Sequence, residues 1–424
     1  MTINLTTIEE ANFTCPDCNA TLPVNKGYIT WCECGYNVQP TESEDFKSKL
    51  DLIYDSLGKK VGEYIFLSMK KNIKVTTRIT FTKVIALLIA TVVHLISISS
   101  FSLSIYLIIN NSSIFTLLVG FFLLGVAWST RPKIPKLSKG ENLIRREDFP
   151  NLFGAFDKLA DSMGVKKVDG IVINNEFNAS VTFIGWKRKK IIMIGYPLFY
   201  ILEPEEQFAI IAHEFGHIAN GDITRSFFIG TALHTLVNWY QLLLPTSLDE
   251  RENGGILEIP FYYFMILCSK LPYFVFYLLV HLFFTDKQKG EYFADYKAAT
   301  ACGSNHLISS LEKFNYYNTF ASTVAQTAIR RDDKNLFSNL KHNLSVMPER
   351  EKDRLKLLDK MELSKLDSTH PPTYFRIQVL KTVQPVNNAF PIPSSLLVLA
   401  NQELNQVKED VQQQLSEDYR YNLG

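Results

Sequence analysis

The chain has 424 residues, enough for two or three domains, and its 44 Lys and Arg nearly balance its 43 Asp and Glu for a formal net charge of +1. That balance argues against a nucleic-acid partner held through phosphates. The 46% hydrophobic content would suit a soluble enzyme, but the apolar residues gather into long charge-free runs, which is the pattern of a membrane protein.

The first segment, "MTINLTTIEEANFTC", is polar and acidic rather than basic then apolar, so no cleavable signal is expected and the N-terminal region should stay in the cytoplasm. Four of the six cysteines follow closely, as "CPDC" at Cys15 and Cys18 and "CEC" at Cys32 and Cys34. Two close pairs across a short loop, with Pro16 and Gly35 shaping the turns, match a four-cysteine zinc site, so residues 1–42 read as a zinc ribbon with one structural zinc. The second pair has one intervening residue where two are usual, and a redox dithiol or a metal-free remnant is the alternative. Cys268 and Cys302 stand alone and are expected to pack as small apolar residues. Residues 43–82 predict a cytoplasmic amphipathic helix, with Leu50, Ile53, Tyr54 and Leu57 at helical spacing and a break near Gly58.

Residues 83–130 predict a transmembrane hairpin, because Val84–Ile109 and Ser112–Ser129 carry no charge and only Asn110 and Asn111 separate them. Lys70, Lys71, Lys74, Arg78 and Lys83 precede it, and Arg131, Lys133, Lys136, Lys139, Arg145 and Arg146 follow, which places both ends in the cytoplasm. Residues 131–225 turn globular. A helix is expected from Glu147 to Val165, then strands at "DGIVINN", "ASVTFIGW" and "KIIMIGY", the last two joined by a basic turn at Lys187–Lys190.

The stretch "FAIIAHEFGHIANGD", Phe208–Asp222, holds the principal chemistry. Pro204, Glu205 and Glu206 favour a helix start, and Asn220 and Gly221 a stop. Within it His213 and His217 lie one turn apart on one face, so both imidazoles reach one ion while Glu214 reaches a water beside it, the H-E-x-x-H arrangement of zinc hydrolases. The alternative, two core histidines and a buried glutamate, would strand three polar groups among Phe208, Ile210, Ile211, Phe215 and Ile218.

A second hairpin is expected over 226–285, from Ser226–Pro245 and Ile259–Phe284, with the acidic connection "TSLDERENGGILE" outside. Its signal is weaker, because His234, Asn238, Gln241 and Lys270 fall within it. A lysine at the bilayer centre costs about 2.5–3.5 kcal/mol, relieved by a kink at Pro272 or by a shallow span with Lys270 snorkelling; the alternative is a buried core hairpin. His94, His234 and His281 in these spans are expected to pack between helices. A catalytic zinc takes three protein ligands, and past the hairpin "KGEYFADYKAA" offers Glu291 as the third, with Asp295 one turn on to accept a hydrogen bond from a ligand histidine. Standing alone, that pair would read as a solvated helix face.

"HEFGHIANGD" followed by a membrane hairpin and "EYFAD" resembles the integral-membrane zinc metallopeptidases of the HtpX and CAAX-prenyl-protease type. The resemblance implies Glu291 as the third ligand and Asp295 as its supporting aspartate. "NAS" at Asn178–Ser180 is similar to that family's substrate-binding edge strand, which implicates Asn178 and Ala179. "THPPTYFRI" at Thr369–Ile377 resembles its late histidine-proline-arginine motif, which puts His370 and Arg376 near the scissile carbonyl; His370 as a fourth zinc ligand that shuts the site is the other possibility. The likeness runs from Phe149 to Leu380 with the transmembrane pairs, and leaves out the ribbon and the tail after Val386. Gly290 and Phe293 stand where relatives often have basic residues, which bears on substrate preference.

The expected architecture is therefore a mostly α membrane protein. It comprises an α+β zincin-like metallopeptidase domain with a small β hairpin or sheet, split into 131–225 and 286–385, four transmembrane helices in two hairpins, an N-terminal zinc ribbon and a helical tail over 386–424 capped by Ser394 or Ser395. The expected function is a multi-pass zinc metalloendopeptidase of the cell membrane, with ribbon and active site on the cytoplasmic side. Its substrates are membrane or misfolded proteins, and Glu214 is the general base. The alternatives are a processing protease for a lipidated substrate and an idle scaffold whose ribbon or tail binds a protein partner.

Overall fold

The computed structural model describes residues 13–22, 31–38, 49–72, 81–110, 113–131, 135–137, 143–245, 258–362, 370–383 and 390–423. Asn111, the acidic connection at 246–257, Thr369 and four of the flanking cations, Lys74, Arg78, Lys133 and Lys139, lie outside them.

The N-terminal module pairs β1 (Phe13–Thr14) with β2 (Thr21–Leu22) as an antiparallel hairpin. Cys15 Sγ lies 3.6 Å from Cys34 Sγ, and Cys18 Sγ lies 3.5 Å from Cys32 Sγ. All four sulfurs are free thiols that fall within 4.8 Å of one another. Sulfurs about 2.3 Å from a tetrahedral zinc sit about 3.8 Å apart, whereas a disulfide needs about 2.05 Å, so the spacing fits metal ligation. The one-residue gap of "CEC" is accommodated by Gly35, which sits at φ 109° between the second knuckle and Tyr36. The module rests on a later helix, where Arg350 donates to Trp31 O at 2.8 Å with its guanidinium over the Trp31 ring, and Arg354 donates to Val38 O at 2.6 Å.

Helix α1 (Lys49–Lys71) is continuous, and the expected break at Gly58 is absent. One glycine costs about 1 kcal/mol in a helix, less than the surrounding turns return. The buried face differs from the expected one: Leu57 is exposed, and Ile65 and Met69 in the second half make the contact. The side chains of Leu50, Ile53 and Tyr54 lie outside the described residues.

Helix α2 (Phe81–Ile109) packs along α3 (Ile114–Ser129), the expected first hairpin. Helices α7 (Asp222–Leu243) and α8 (Glu258–Cys302) join α2 around Ala86, Ala90, Val93, Ile229, Ala232, Leu236 and Leu279, small and branched residues that allow close helix approach. His94 bonds the Phe228 carbonyl and His234 bonds Asn238 inside this bundle. Among the described residues two helices are long and apolar enough to cross a membrane, α2 and α8 from Ile259, and only 17% and 22% of their apolar windows are buried. An apolar helix that finds no core to enter calls for an apolar solvent, which counts against the buried-core alternative. α3, at 16 residues, is a shorter apolar helix, and α7 carries too many polar groups to pass the same test. Helix α8 also runs unbroken through Pro272 for 45 residues, so the second span and the "EYFAD" segment belong to one helix. Lys270 is on its exposed side, 5.8 Å over the Tyr273 ring.

The soluble domain begins with β3 (Leu143–Ile144) and α4 (Pro150–Met163), closed by a left-handed Gly164. The expected strands are β4 (Gly170–Asn174), β5 (Ala179–Ile184) and β6 (Lys189–Gly195), with the β5–β6 turn at Gly185–Arg188. Strand β3, which was not expected, completes a mixed sheet in the order β3-β4-β6-β5, so β5 is an edge strand paired only to β6. Helix α5 (Tyr196–Ile201) leads into α6 (Pro204–Asn220), whose start is fixed by a reciprocal box between Glu203 and Glu206. After α8 come α9 (Ser304–Lys313), α10 (Tyr317–Arg330), α11 (Leu336–Ser345), α12 (Glu349–Met361), which carries the ribbon, and α13 (Thr373–Leu380).

The tail forms two helices, α14 (Ser394–Leu404) and α15 (Lys408–Leu423). Neither Ser394 nor Ser395 caps it: Pro393 holds the cap position and supplies no side-chain bond. The tail instead caps the domain. Glu403, 7% exposed, accepts from the backbone N–H of Asn151 and Leu152 at 3.0 and 2.8 Å, the open end of α4, whose own cap Phe149 has no polar side chain. Truncating Glu403 to alanine should cost ~1–2 kcal/mol, read as a lower thermal unfolding midpoint.

Candidate active site

The site is set where α6 crosses α8. Gly216 makes the crossing possible: a Cβ there would stand 2.6 Å from Ala294 Cα. With the backbones that close, Glu291 on α8 faces the histidines of α6. His213 Nε2 and His217 Nε2 are 3.2 Å apart, Glu291 Oε2 is 3.5 Å from the first, and Glu291 Oε1 is 3.3 Å from the second. Glu214, 8% exposed, follows His213 and opens on the adjoining cleft.

Each imidazole is held from behind. His213 Nδ1–H donates to Asp295 Oδ1 at 2.8 Å, and His217 Nδ1–H donates to Asp222 Oδ2 at 3.0 Å. A carboxylate can only accept, so both rings carry a proton on Nδ1 and turn Nε2 toward Glu291. Asp295 is gripped in turn by Arg376, with Nε and Nη2 at 2.8 and 2.7 Å. Asp222 receives Asn220 Nδ2 and the Arg225 guanidinium. Gly290 leaves room for it, since a Cβ there would meet Asp222 Oδ2 at 3.0 Å.

The electrostatics follow from this packing. Burial opposes charge on every member, yet Asp295 and Glu291 hold His213 above its ordinary 6.5, and Glu291 and Asp222 hold His217 well above it. Glu291, though fully buried, is held well below the usual carboxylate range by His217 and His370. Asp295 is brought to about 2 against its burial by Arg376 and His213. The buried Glu291 and Asp295 and the half-buried Asp222 thus make a pocket that favours positive charge at the two histidines. Glu291 Oε1 has no hydrogen-bond partner among the described residues although it is buried. Two imidazole nitrogens and one carboxylate converging on one point, with an orphaned oxygen among them and a pocket that favours positive charge, suit a zinc ion.

The other expected residues lie around this centre. His370, whose side chain is 55% exposed, donates Nδ1–H to Glu291 Oε2 at 2.6 Å. Arg376 is buried at 8% exposure, committed to Asp295, with Nη1 3.9 Å from Glu291 Oε2. Asn178 and Ala179 stand at the head of the edge strand β5, with Asn178 O accepting from Gly195 N at 2.8 Å. A cleft passes over the site in two lobes that share Asn178, Ala179, Glu214 and His370. The lobe of about 370 Å³ has apolar walls from Phe177, Ile210, Leu307, Leu311 and Phe314. The lobe of about 330 Å³ follows β5 from Ser180 to Phe183 toward Lys287 and Asp222. Asp222 and Arg225 were not singled out in the sequence, where Asn220-Gly221 was read only as a helix stop.

Residues 147–384, more than half of the chain, match the model of peptidase family M48. The chain belongs to peptidase family M48. This M48 chain is similar to Protease HtpX of Pseudomonas fluorescens, 28% identical over 169 residues that make up 38% of this chain and 55% of that protein. It is 26% identical to the Protease HtpX homolog of Halobacterium salinarum over 268 residues, 61% of this chain and 86% of that one. It is also 26% identical to Protease HtpX of Chromohalobacter salexigens over 248 residues, 54% and 81% of the two chains. The alignment with the Pseudomonas fluorescens protein thus spans little more than half of that relative's length. The M48 match takes in α4 to α13 and leaves the ribbon, α1 to α3 and the tail outside.

Proposed function

We propose that the chain is a multi-pass membrane zinc endopeptidase that cleaves membrane proteins at the cytoplasmic face. The observation that carries the reading is the convergence of His213, His217 and Glu291 on one point, with Glu214 beside them at the cleft. Those three side chains would hold the zinc ion, which would supply Lewis acidity to a water and to the peptide carbonyl. Glu214 takes the proton of the attacking water and passes it to the leaving amine. Asp295 and Asp222 keep Nε2 of each histidine available, and Arg376 positions Asp295 rather than touching substrate. His370, over Glu291 at the cleft, is placed to donate to the carbonyl oxygen as charge develops there. The substrate lies extended along the edge of β5, held through its backbone, with an apolar side chain in the lobe walled by Ile210, Leu307 and Leu311.

The membrane reading rests on α2 and α8, with α3 and α7 packed beside them as the other halves of two hairpins. Lys83 at the start of α2 pairs with Asp286 on α8 at 3.3 Å, only five residues before Glu291, so the site lies level with the basic end of α2. Lys70 and Lys71 precede the first hairpin in the sequence and Arg131 and Lys136 follow it, which supports a cytoplasmic site. Purified chain in lipid vesicles should cleave a single-span substrate beside its span, faster than a soluble copy of the same sequence. Equal rates would overturn the membrane-substrate reading, and no cleavage by zinc-loaded protein would overturn the endopeptidase reading. The cysteine cluster holds a second, structural zinc. Removing residues 1–42 should lower zinc content from two ions per chain to one, read by elemental analysis.

A further inference from the structure

Where the tail meets the domain, a cavity of about 760 Å³ opens between α5, the start of α6, α9, α11 and the α14–α15 junction. That volume is within the roughly 300–1,000 Å³ of small-molecule sites, and it is separate from the cleft over Glu214. Three lysines line it, Lys313, Lys341 and Lys408, against one acid, Glu203. Glu203 is occupied as the helix cap, and Lys313 is neutralised by Glu206 Oε2 at 2.5 Å. Lys341 is exposed and Lys408 lies 5.3 Å over the Tyr200 ring, and neither has a carboxylate partner among the described residues. Gln207, 3% exposed, gives Nε2 to Phe199 O and to Asn401 Oδ1, which leaves its Oε1 buried with no partner among the described residues.

We propose that this cavity binds a small organic phosphate, with Lys341 and Lys408 meeting its oxygens and its organic part lying along the lining between Tyr200 and Asn401. Lysines are compact point charges suited to phosphate, and the planar arginine fork that matches a carboxylate is absent from the lining. Two uncompensated cations ask for a ligand with more than one negative charge. A volume of about 760 Å³ is far more than inorganic phosphate fills, which calls for an organic part. The lining is shared between two parts of the chain. Gln207 sits on the metal-bearing helix, six residues and about 9 Å of helix before His213. Asn401 and Lys408 come from the tail, outside the M48 match. A bound ligand would therefore fasten the tail to α6.

The test needs no peptide substrate, so it stands or falls apart from the endopeptidase reading. Full-length zinc-loaded protein in detergent is titrated calorimetrically with ATP, pyrophosphate and citrate in magnesium-free buffer. ATP and pyrophosphate should bind one per chain and compete, with ATP the tighter of the two. Citrate, a carboxylate of similar charge, should bind about tenfold more weakly or worse. The double variant Lys341→Ala/Lys408→Ala should weaken ATP binding at least about tenfold, since it removes both charge-assisted contacts. Both lysines have solvent access, so an unchanged unliganded melting point would separate lost binding from lost fold, and Lys166→Ala, at an exposed position outside the lining, should bind as the parent does. Absence of saturable ATP binding, ATP affinity retained by the double variant, or citrate binding as tightly as ATP would each overturn the proposal.

Discussion

Replacing Glu214 by glutamine should reduce peptide hydrolysis by about 10³-fold or more while zinc content stays at the parental level. The two effects separate because of the geometry. Glu214 faces the cleft, and the atoms that converge on the metal position belong to His213, His217 and Glu291. Glutamine keeps the size and the helix preference of glutamate and removes only the capacity to accept and return a proton. The measurement is turnover of a membrane-anchored peptide alongside metal analysis of the same preparation. Parental activity in the variant would refute the proton-transfer role. Zinc lost together with activity would instead mean that Glu214 helps build the site.

How much of this centre was legible in the sequence depended on whether its parts lie on one periodic element. His213, Glu214 and His217 share a helix, so their spacing alone placed them, and the capping residues bounded that helix correctly. Glu291 was readable as a carboxylate one turn from Asp295, but its meeting with the histidines depends on the α6–α8 crossing, which no local pattern encodes. Asp222 was missed for a related reason. Gly221 at φ 71° turns the chain between α6 and α7 and brings the first residue of the next helix back onto His217. Arg376 is 81 residues from the Asp295 it grips, a pairing that spacing cannot reveal.

Gly58 misled as a breaker: it lies inside a continuous helix, because a local penalty of about 1 kcal/mol is outweighed when the flanking turns are packed. In the tail, the serines suggested a cap that Pro393 occupies, while the residue that does cap a helix, Glu403, caps α4 about 250 residues away.

Gly216→Ala should abolish zinc binding and activity together, the opposite of the Glu214→Gln pattern, although the substitution adds one methyl and leaves every ligand in place. At most helix positions alanine is favoured over glycine by about 1 kcal/mol. Here the new Cβ would stand 2.6 Å from Ala294 Cα and 3.0 Å from Ala294 O, contacts with backbone that no rotamer change relieves. The helices must separate, and Ala294 lies between Glu291 and Asp295, so both carboxylates retreat from His213 and His217 at once. Asp295 then loses the Nδ1–H it orients, and Glu291 no longer closes the three-atom set that spans 4.8 Å. Overpacking of this kind costs about 1–3 kcal/mol in a core, too little to unfold a domain with a core this extensive but enough to open a metal site that tolerates tenths of an ångström. The variant should therefore keep its helical circular dichroism while elemental analysis finds zinc only at the cysteine cluster. Full zinc occupancy with normal turnover would show that the close crossing of α6 and α8 is not what sets the site.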